Sequence, residues 1–308
     1  MDMQPPTRRL LPALAMALSF ALAGCATSPA TSPAVAPAAP AAAPAAHAAD
    51  DNLNAVLWVQ RSQEYRASAV SLYRGAIAHL DAALADPQWD ALVPAERDNA
   101  GAWNALPPAV ILDIDETVLD NSIYQARLVR DGLEYDDDTW ADWVAERSAT
   151  AVPGVAEFAR AATERGITLY YVTNREQRLK EDTLANLRAL GLPVAHEGVF
   201  LGKGTRVEGC QQPGSSSGKL CRRQLVGRSH RVLMQFGDQL GDFAQLPANT
   251  AADRNAAVGE HGGWFGQRWW MLPNPTYGGW EPALFDNQWD RSREQRRAAK
   301  RAILVTGN

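Results

Sequence analysis

Apolar and polar positions fall along this chain in blocks whose period changes from helical to extended and back. Trp58, Tyr65, Ala69, Leu72, Ala76, Leu80 and Leu84 recur at helical spacings, which predicts one amphipathic helix from Leu53 to Ala85, stopped by Asp86-Pro87. Pro94 to Pro108 reads as a connector into an apolar run, Ala109 to Leu112, of the kind that forms a buried strand. Helical patterns follow over Asn121 to Arg130 and Thr139 to Arg147, separated by the polar stretch Asp136-Asp137-Asp138. Pro153-Gly154 opens a helix to Arg165, and Gly166 turns it into a strand from Ile167 to Val172 that ends at Thr173-Asn174-Arg175. Beyond it the pattern predicts a helix over Glu176 to Leu190 and a short strand around Val199 to Leu201. A short helix over Leu220 to Gly227, strands over Arg231 to Phe236 and Trp269 to Leu272, and a polar helix over Asp290 to Ile303 complete the chain.

Alternation of strand and helix predicts an α/β fold, a doubly wound parallel sheet covered on both faces. In such sheets ligands gather outside the carboxyl ends of the strands. The most polar strand ends are Asp113, Thr173-Asn174 and Asp238, so the candidate site belongs there. Asp113 and Asp115 point the same way if their strand persists, and fan around one site if it breaks. Two converging carboxylates are costly unless a cation or a reaction requires them. A strand followed by an ordinary acidic loop is the plainer alternative.

Composition narrows the classes. The chain has 308 residues, 46% of them apolar and 21% charged, which suits a soluble core of one large or two modest domains. A formal net charge of -5 gives no basic excess, so a nucleic-acid polymer is not an expected partner. Arg8-Arg9 followed by the short apolar stretch Leu10 to Ala23 reads as a signal peptide over residues 1–24. Leu22-Ala23-Gly24-Cys25 resembles the bacterial lipoprotein box, which implies lipidation at Cys25. An ordinary secretory signal with an incidental cysteine is the alternative. Ala26, by resemblance to sorted lipoproteins, favours the outer membrane, with the globular part in the periplasm or at the cell surface. Residues 25–50, rich in Ala, Pro, Ser and Thr, read as a tether to a globular domain over 51–308. In an exported chain Cys210 and Cys221 are a candidate disulfide, with two free thiols as the alternative.

Four ordered motifs resemble the haloacid dehalogenase superfamily of phosphotransferases: Asp113-Ile114-Asp115-Glu116-Thr117, Thr173-Asn174-Arg175, Lys219, and Gly237-Asp238-Gln239-Leu240-Gly241-Asp242-Phe243. Val118-Leu119-Asp120-Asn121-Ser122 and the run from Leu272 to Glu281 narrow the likeness, over roughly residues 54–284, to the class C acid phosphatases, bacterial outer-membrane lipoproteins. The resemblance implies a haloacid dehalogenase-like core, a small helical cap within about 120–152, and hydrolysis of small phosphate esters with an acidic optimum. Asp113 would be the nucleophile that forms an aspartyl-phosphate, and Asp115 the acid and then the base. Asp238, Asp113 and the backbone carbonyl of Asp115 would hold Mg²⁺, while Asp242 would bind a coordinated water or orient Lys219. A dipole-facing acid at a helix start is the plainer role for Asp242. Thr173 and Asn174 would donate to a phosphoryl oxygen or cap the following helix, and Lys219 would supply a fixed positive charge. Lys203 also lies between the second and fourth motifs, but the surroundings of Lys219 match the family better. Gln239 and Gly241 depart from the family's usual Gly-Asp-Asn-x-x-Asp-Phe, which implies altered packing with both carboxylates kept. Among ten tryptophans and seven tyrosines, Tyr124, Tyr277 and Trp280 are candidates to stack on the ring of a nucleoside 5'-monophosphate or nicotinamide mononucleotide, although most such rings serve core or lid packing. A ligand-binding lipoprotein without turnover, or transfer of the phosphoryl group to an alcohol, are the rival functions.

Overall fold

The computed structural model describes residues 51–98 and 101–307; the signal segment 1–24, Cys25 and the tether to residue 50 lie outside the described residues. In chain order the elements are helices α1 (Leu53–Arg61) and α2 (Gln63–Ala85), strands β1 (Pro108–Leu112) and β2 (Leu119–Asp120), helices α3 (Ser122–Asp131) and α4 (Asp137–Ala145), strand β3 (Thr150–Ala151) and helix α5 (Val155–Glu164). Strand β4 (Thr168–Glu176), helix α6 (Lys180–Ala189), strand β5 (Phe200–Lys203), helix α7 (Leu220–Ser229), strand β6 (Arg231–Gly237), helix α8 (Ala251–His261), strand β7 (Trp269–Met271) and helix α9 (Arg293–Ala302) follow.

Five strands form one parallel sheet in the order β5-β4-β1-β6-β7. From β1 the chain first builds outward through β4 and β5, then returns to the other side of β1 for β6 and β7. That reversal leaves a crevice at the carboxyl end of β1, the place where doubly wound sheets bind ligands. The expected fold class is the one observed.

Helices cover both faces. Phe236 on β6 stacks near Tyr73 of α2 and Phe158 of α5, with ring centroids 5.4 and 4.5 Å away, and Trp270 continues the same layer. Side chains alternate along a strand, so Gln235 and Trp269 turn to the opposite face, where Trp269 packs on Phe243, Phe265 and Trp264. The abundance of tryptophan therefore serves this core in part. A buried polar clamp sits on that second face. Arg223 of α7 donates through Nε and Nη2 to the two Glu96 oxygens at 2.7 Å each, and its Nη1 reaches the carbonyl of Gly241 at 2.8 Å. Glu96 Oε1 also accepts from the amide of Gln245 at 2.6 Å, so one buried ion pair fixes the loop after β6.

Several expectations need correction. The single helix over 53–85 is two helices, because the Ser62 hydroxyl accepts from the Tyr65 amide at 3.0 Å and caps a new start. The strand beginning near Ile167 runs on to Glu176, since its polar end still pairs with Lys203 of β5. The next helix starts at Lys180 after a 3-10 turn over Gln177–Leu179, later than the expected Glu176. Helix α8 was not expected; Thr250 caps it by accepting from the Asp253 amide. The segment expected as a cap holds α3 and α4, and the antiparallel pair β2–β3 pinches its two ends together. Cys210 and Cys221 are joined, with Cα atoms 5.7 Å apart.

Replacing Glu96 by Gln leaves the Arg223 guanidinium buried without its counter-charge. The expected result is a loss of about 3 kcal/mol in unfolding free energy, measured by urea denaturation. An unchanged midpoint would show that the clamp is dispensable.

Candidate active site

Strand register delivers the candidate residues to one edge. Leu112 on β1 stands opposite Tyr171 on β4 and Phe236 on β6. Asp113 is the next residue, and its amide donates to the Phe236 carbonyl at 2.9 Å. Thr173 and Asp238 lie two residues beyond those partners, at the same end of the sheet.

The strand breaks after Leu112, so the two aspartates fan out. The Ile114 carbonyl accepts from the amides of Val118 and Leu119, both at 2.8 Å, closing a tight turn. The turn forces Glu116 into the left-handed region at φ 60°, a strained choice of the kind that clusters at functional sites. Tyr73 steadies it from α2 by donating to the Thr117 carbonyl at 2.7 Å. Asp115 leaves the turn with its carboxylate held by Arg175, whose Nε and Nη2 lie 2.9 and 2.8 Å from Oδ1. Asn121 donates to the same oxygen at 3.0 Å, and the Thr173 hydroxyl stands 3.5 Å from Oδ2.

Asp113, Asp238 and Asp242 form a second group, all buried, with one carboxylate oxygen of each within 4.8 Å of the others. Lys219 Nζ sits between Asp113 Oδ1 at 2.5 Å and Asp242 Oδ1 at 2.6 Å. Gly237 makes the approach possible, because a Cβ there would stand 2.3 Å from Asp242 Oδ2. Burial pushes the Asp113 carboxyl up to about 7; Lys219 opposes that rise, and Asp242 and Asp115 add to it. Asp238 is driven well above the usual carboxylate range by burial, and then by Asp242 and Asp113. Burial alone would lower the Lys219 ammonium, but Asp113 and Asp242 outweigh it and hold the group above its ordinary value. Asp238 Oδ2 accepts from Asn274 at 2.8 Å, while its Oδ1 is buried without a hydrogen-bond partner among the described residues. An orphaned oxygen in an all-oxygen carboxylate cluster fits a hard divalent cation.

A cavity of about 1100 Å³ opens beside these groups. Asp113, Asp115, Asn174, Lys219 and Asp242 line it, together with Trp140, Tyr277 and Trp280. Lys219 stands in the cluster, whereas Lys203 lies on β5 with its Nζ 4.0 Å from Glu176. Asn174 Oδ1 accepts from Arg222 Nη2 at 2.9 Å. Thr173 is buried, and its hydroxyl accepts from the Arg175 amide at 3.1 Å. Asp242 also closes a capping box with Gln239 over the 3-10 turn Leu240–Asp242, while its other carboxylate oxygen accepts from Lys219. The Asp115 side chain stands apart from the three-carboxylate group and belongs to Arg175. Tyr124 is a correction: it is buried inside the cap, 5.1 Å edge-on to Trp140 with its hydroxyl 3.1 Å from Thr139 Oγ1, and it does not line the cavity. Tyr277 contacts Glu116 Oε2 through its hydroxyl, and Trp280 is 38% exposed at the cavity. Burial, then Asp115, pushes the Glu116 carboxyl up to about 8, and the Tyr277 hydrogen bond opposes them.

Arg175, Asn121, Glu116, Arg222 and Asn274 were not expected as site residues. Thr173 and Arg175 share a face of the prolonged β4, so a period-two reading carried two residues further would have pointed Arg175 at Asp115. Arg222 Nη1 donates to the Thr173 carbonyl and Nη2 to the carbonyl of Gly218 at 2.7 Å, bracing the loop that carries Lys219.

Comparison with known proteins agrees with this geometry. Residues 41–280 match the HAD superfamily, subfamily IIIB (acid phosphatase). The chain belongs to this family. Its fold is similar to the class C acid phosphatase of Bacillus anthracis in two solved structures, at TM-scores of 0.70 and 0.69 and 33% and 32% identity, each covering 83% of this chain and 98% of the other. One of these has tungstate bound. Acid phosphatase 1 of Solanum lycopersicum is 26% identical over 168 residues, 54% of this chain, and the match spans 57% of that relative's length.

Arg175 holds Asp115, reaches Thr183 Oγ1 and Asn121 Oδ1 at 3.2 Å each, and lies over the Trp140 ring of the cap at 5.4 Å. Arg175→Lys keeps the charge but loses the planar fork that spans these partners. Turnover of a chromogenic phosphate ester is expected to fall about 10²-fold with the circular dichroism spectrum retained, because Asp115 loses its aim. Wild-type turnover in this variant would contradict the assigned role.

Proposed function

We propose that the protein is a divalent-cation-dependent phosphomonoesterase that works through an aspartyl-phosphate on Asp113. The observation that carries this reading is the pairing of two differently held carboxylates at the carboxyl end of β1. Asp113 is fixed by Lys219 beside the acidic cluster, and Asp115 is fixed by Arg175 away from it. Phosphoryl transfer by this route needs one carboxylate to attack and another to exchange protons, and the two are held in separate places.

In the first step an oxygen of Asp113 bonds to phosphorus while the bond from phosphorus to the ester oxygen breaks. Asp115 gives its proton to the departing oxygen, which leaves as an alcohol. In the second step Asp115 takes a proton from water, whose oxygen attacks phosphorus; orthophosphate departs and the Asp113 carboxylate is restored. Lys219 keeps Asp113 aligned and lowers the repulsion between the carboxylate and the incoming dianion. Asn174 lines the same cavity and offers an amide donor to a phosphoryl oxygen. Asp113, Asp238 and Asp242 would hold the cation, for which Mg²⁺ is the fitting choice given oxygen donors alone. Bound there, the ion would neutralise charge on the phosphoryl oxygens. Tungstate, present in a solved relative, is a tetrahedral oxyanion of the same shape as phosphate, which supports an oxyanion ligand here.

The cavity is large for a phosphate alone, and Trp140, Tyr277 and Trp280 line it. Ring faces of this kind support small organic esters, nucleoside 5'-monophosphates and nicotinamide mononucleotide among them.

Asp113→Asn removes the attacking oxyanion. Hydrolysis of p-nitrophenyl phosphate and of adenosine 5'-monophosphate is expected to drop by about 10⁴-fold or more. Asp115→Asn should retain the first chemical step for p-nitrophenyl phosphate, whose leaving group needs little protonation, better than for the nucleotide. Near-wild-type hydrolysis by the Asp113→Asn protein would remove the proposed nucleophile.

A further inference from the structure

The cavity holds more positive charge than the chemistry at Asp113 uses. Most of its cationic side chains are engaged: Lys219 with Asp113 and Asp242, Arg175 with Asp115, Arg296 with Glu134, and Lys300 with Glu281 at 2.9 Å. Arg293 reaches the Gly132 carbonyl at 3.3 Å. Arg254 of α8 is different. Among the described residues the one hydrogen-bond acceptor of its guanidinium is the side-chain oxygen of Asn249, 3.1 Å from Nη1, and no carboxylate lies within ion-pairing distance. A guanidinium has five donors, and four of these remain for a ligand.

The group is held in place. Asn249 gives its own amide to the Gly279 carbonyl at 2.8 Å and to Asn287 Oδ1 at 2.7 Å, so the oxygen that accepts from Arg254 is fixed. Gly279 lets the guanidinium approach the backbone: a Cβ there would lie 3.1 Å from Arg254 Nη1 and 3.5 Å from Gln239 Oε1. The Gly279 amide donates to that same Gln239 oxygen at 2.8 Å. Gln239 directly follows Asp238, and the Trp280 ring edge stands beside it at Gly278. Three hydrogen bonds in series, Arg254 to Asn249, Asn249 to Gly279 and Gly279 to Gln239, thus link Arg254 to the residue that follows Asp238, and Arg254 lines the same cavity. Burial lowers its pKa.

We propose that Arg254 is a specificity-determining residue that binds a second anionic group, a carboxylate or a further phosphate, carried by the same small ester whose phosphoryl group sits at Asp113. The proposal rests on the phosphomonoesterase reading above. A planar fork with free donors in a half-buried cavity is suited to bidentate recognition of either oxyanion. The amide oxygen of Asn249 orients it without neutralising it. Esters with one anionic group would leave the guanidinium unsatisfied, and esters with two would engage both Lys219 and Arg254 of the one cavity.

The test compares kcat/KM within matched pairs on the full-length wild-type protein. One pair is adenosine 5'-monophosphate against adenosine 3',5'-bisphosphate, scored for 5'-phosphate release; the other is glycerol 3-phosphate against 3-phosphoglycerate. The first arm reports a second phosphate and the second a carboxylate. The wild type is expected to prefer the doubly anionic member of at least one pair by about tenfold, the discrimination that a charge-assisted hydrogen bond supports. In Arg254→Gln the ratio within that pair should fall toward one, and in Arg254→Lys it should lie between. No preference in the wild type, a ratio unchanged in Arg254→Gln, or equal losses on both members would overturn the proposal, the last by showing a purely structural role. If the wild type hydrolysed none of the four esters, the phosphomonoesterase reading would fail by itself. The same ratios, read as calorimetric affinities, would then still decide the role of Arg254.

Discussion

Lys219, held between Asp113 and Asp242, is the contact on which the site depends. Three carboxylates converge in a buried pocket, and this one ammonium lies among them. With all three ionised the local balance is two negative charges, which a low-dielectric interior resists strongly. Burial answers by pushing Asp113 and Asp238 up, and one Asp238 oxygen has no hydrogen-bond partner among the described residues. A divalent cation held there would close that balance, give the orphaned oxygen a partner and let Asp113 stay ionised, as the proposed attack on phosphorus requires.

Much of the remaining fold keeps this arrangement in register. Parallel pairing of β1 with β4 and β6 sets the axial level of Asp113, Thr173 and Asp238. The Glu96–Arg223 pair pins the loop bearing Asp242, and Arg222 braces the loop bearing Lys219. The Cys210–Cys221 bridge closes the Gly/Ser-rich stretch that leads to that lysine. Arg175 performs the corresponding service for Asp115 and ties the core strand to Trp140 of the cap. Two carboxylates of one short motif thereby live in different electrostatic surroundings, one facing an ammonium and acids, the other a guanidinium and amides.

The parts of this design that local chemistry encodes were readable from the chain. The apolar run before Asp113 and the Gly237-Asp238 stop mark strand ends by a change from apolar to polar residues, whereas the same change after Val172 comes before β4 has ended. Lys219 was reachable through its motif, because its neighbours match a family pattern. What escaped depends on distant partners or on weak patterns. Ser62 is an ordinary helix-face residue until its hydroxyl caps α2. Helix α8 buries none of its residues, so no apolar stripe announces it, and with it Arg254 was overlooked. Glu96 and Arg223 are 127 residues apart, and nothing local to either reveals a bidentate pair. Tyr124 shows the reverse error: an aromatic residue near the motifs is taken up by packing within the cap.

Direct binding of the cation decides the central claim. Isothermal titration of Mg²⁺ into metal-free protein, for the wild type and for folded Asp238→Asn, reads the charge balance without requiring turnover. One divalent site per chain in the wild type, weakened at least about 100-fold by the substitution, is the expected result, since second-sphere changes alone cost 10–100-fold. Absence of Mg²⁺ binding in the wild type, or equal affinity in Asp238→Asn, would contradict the account.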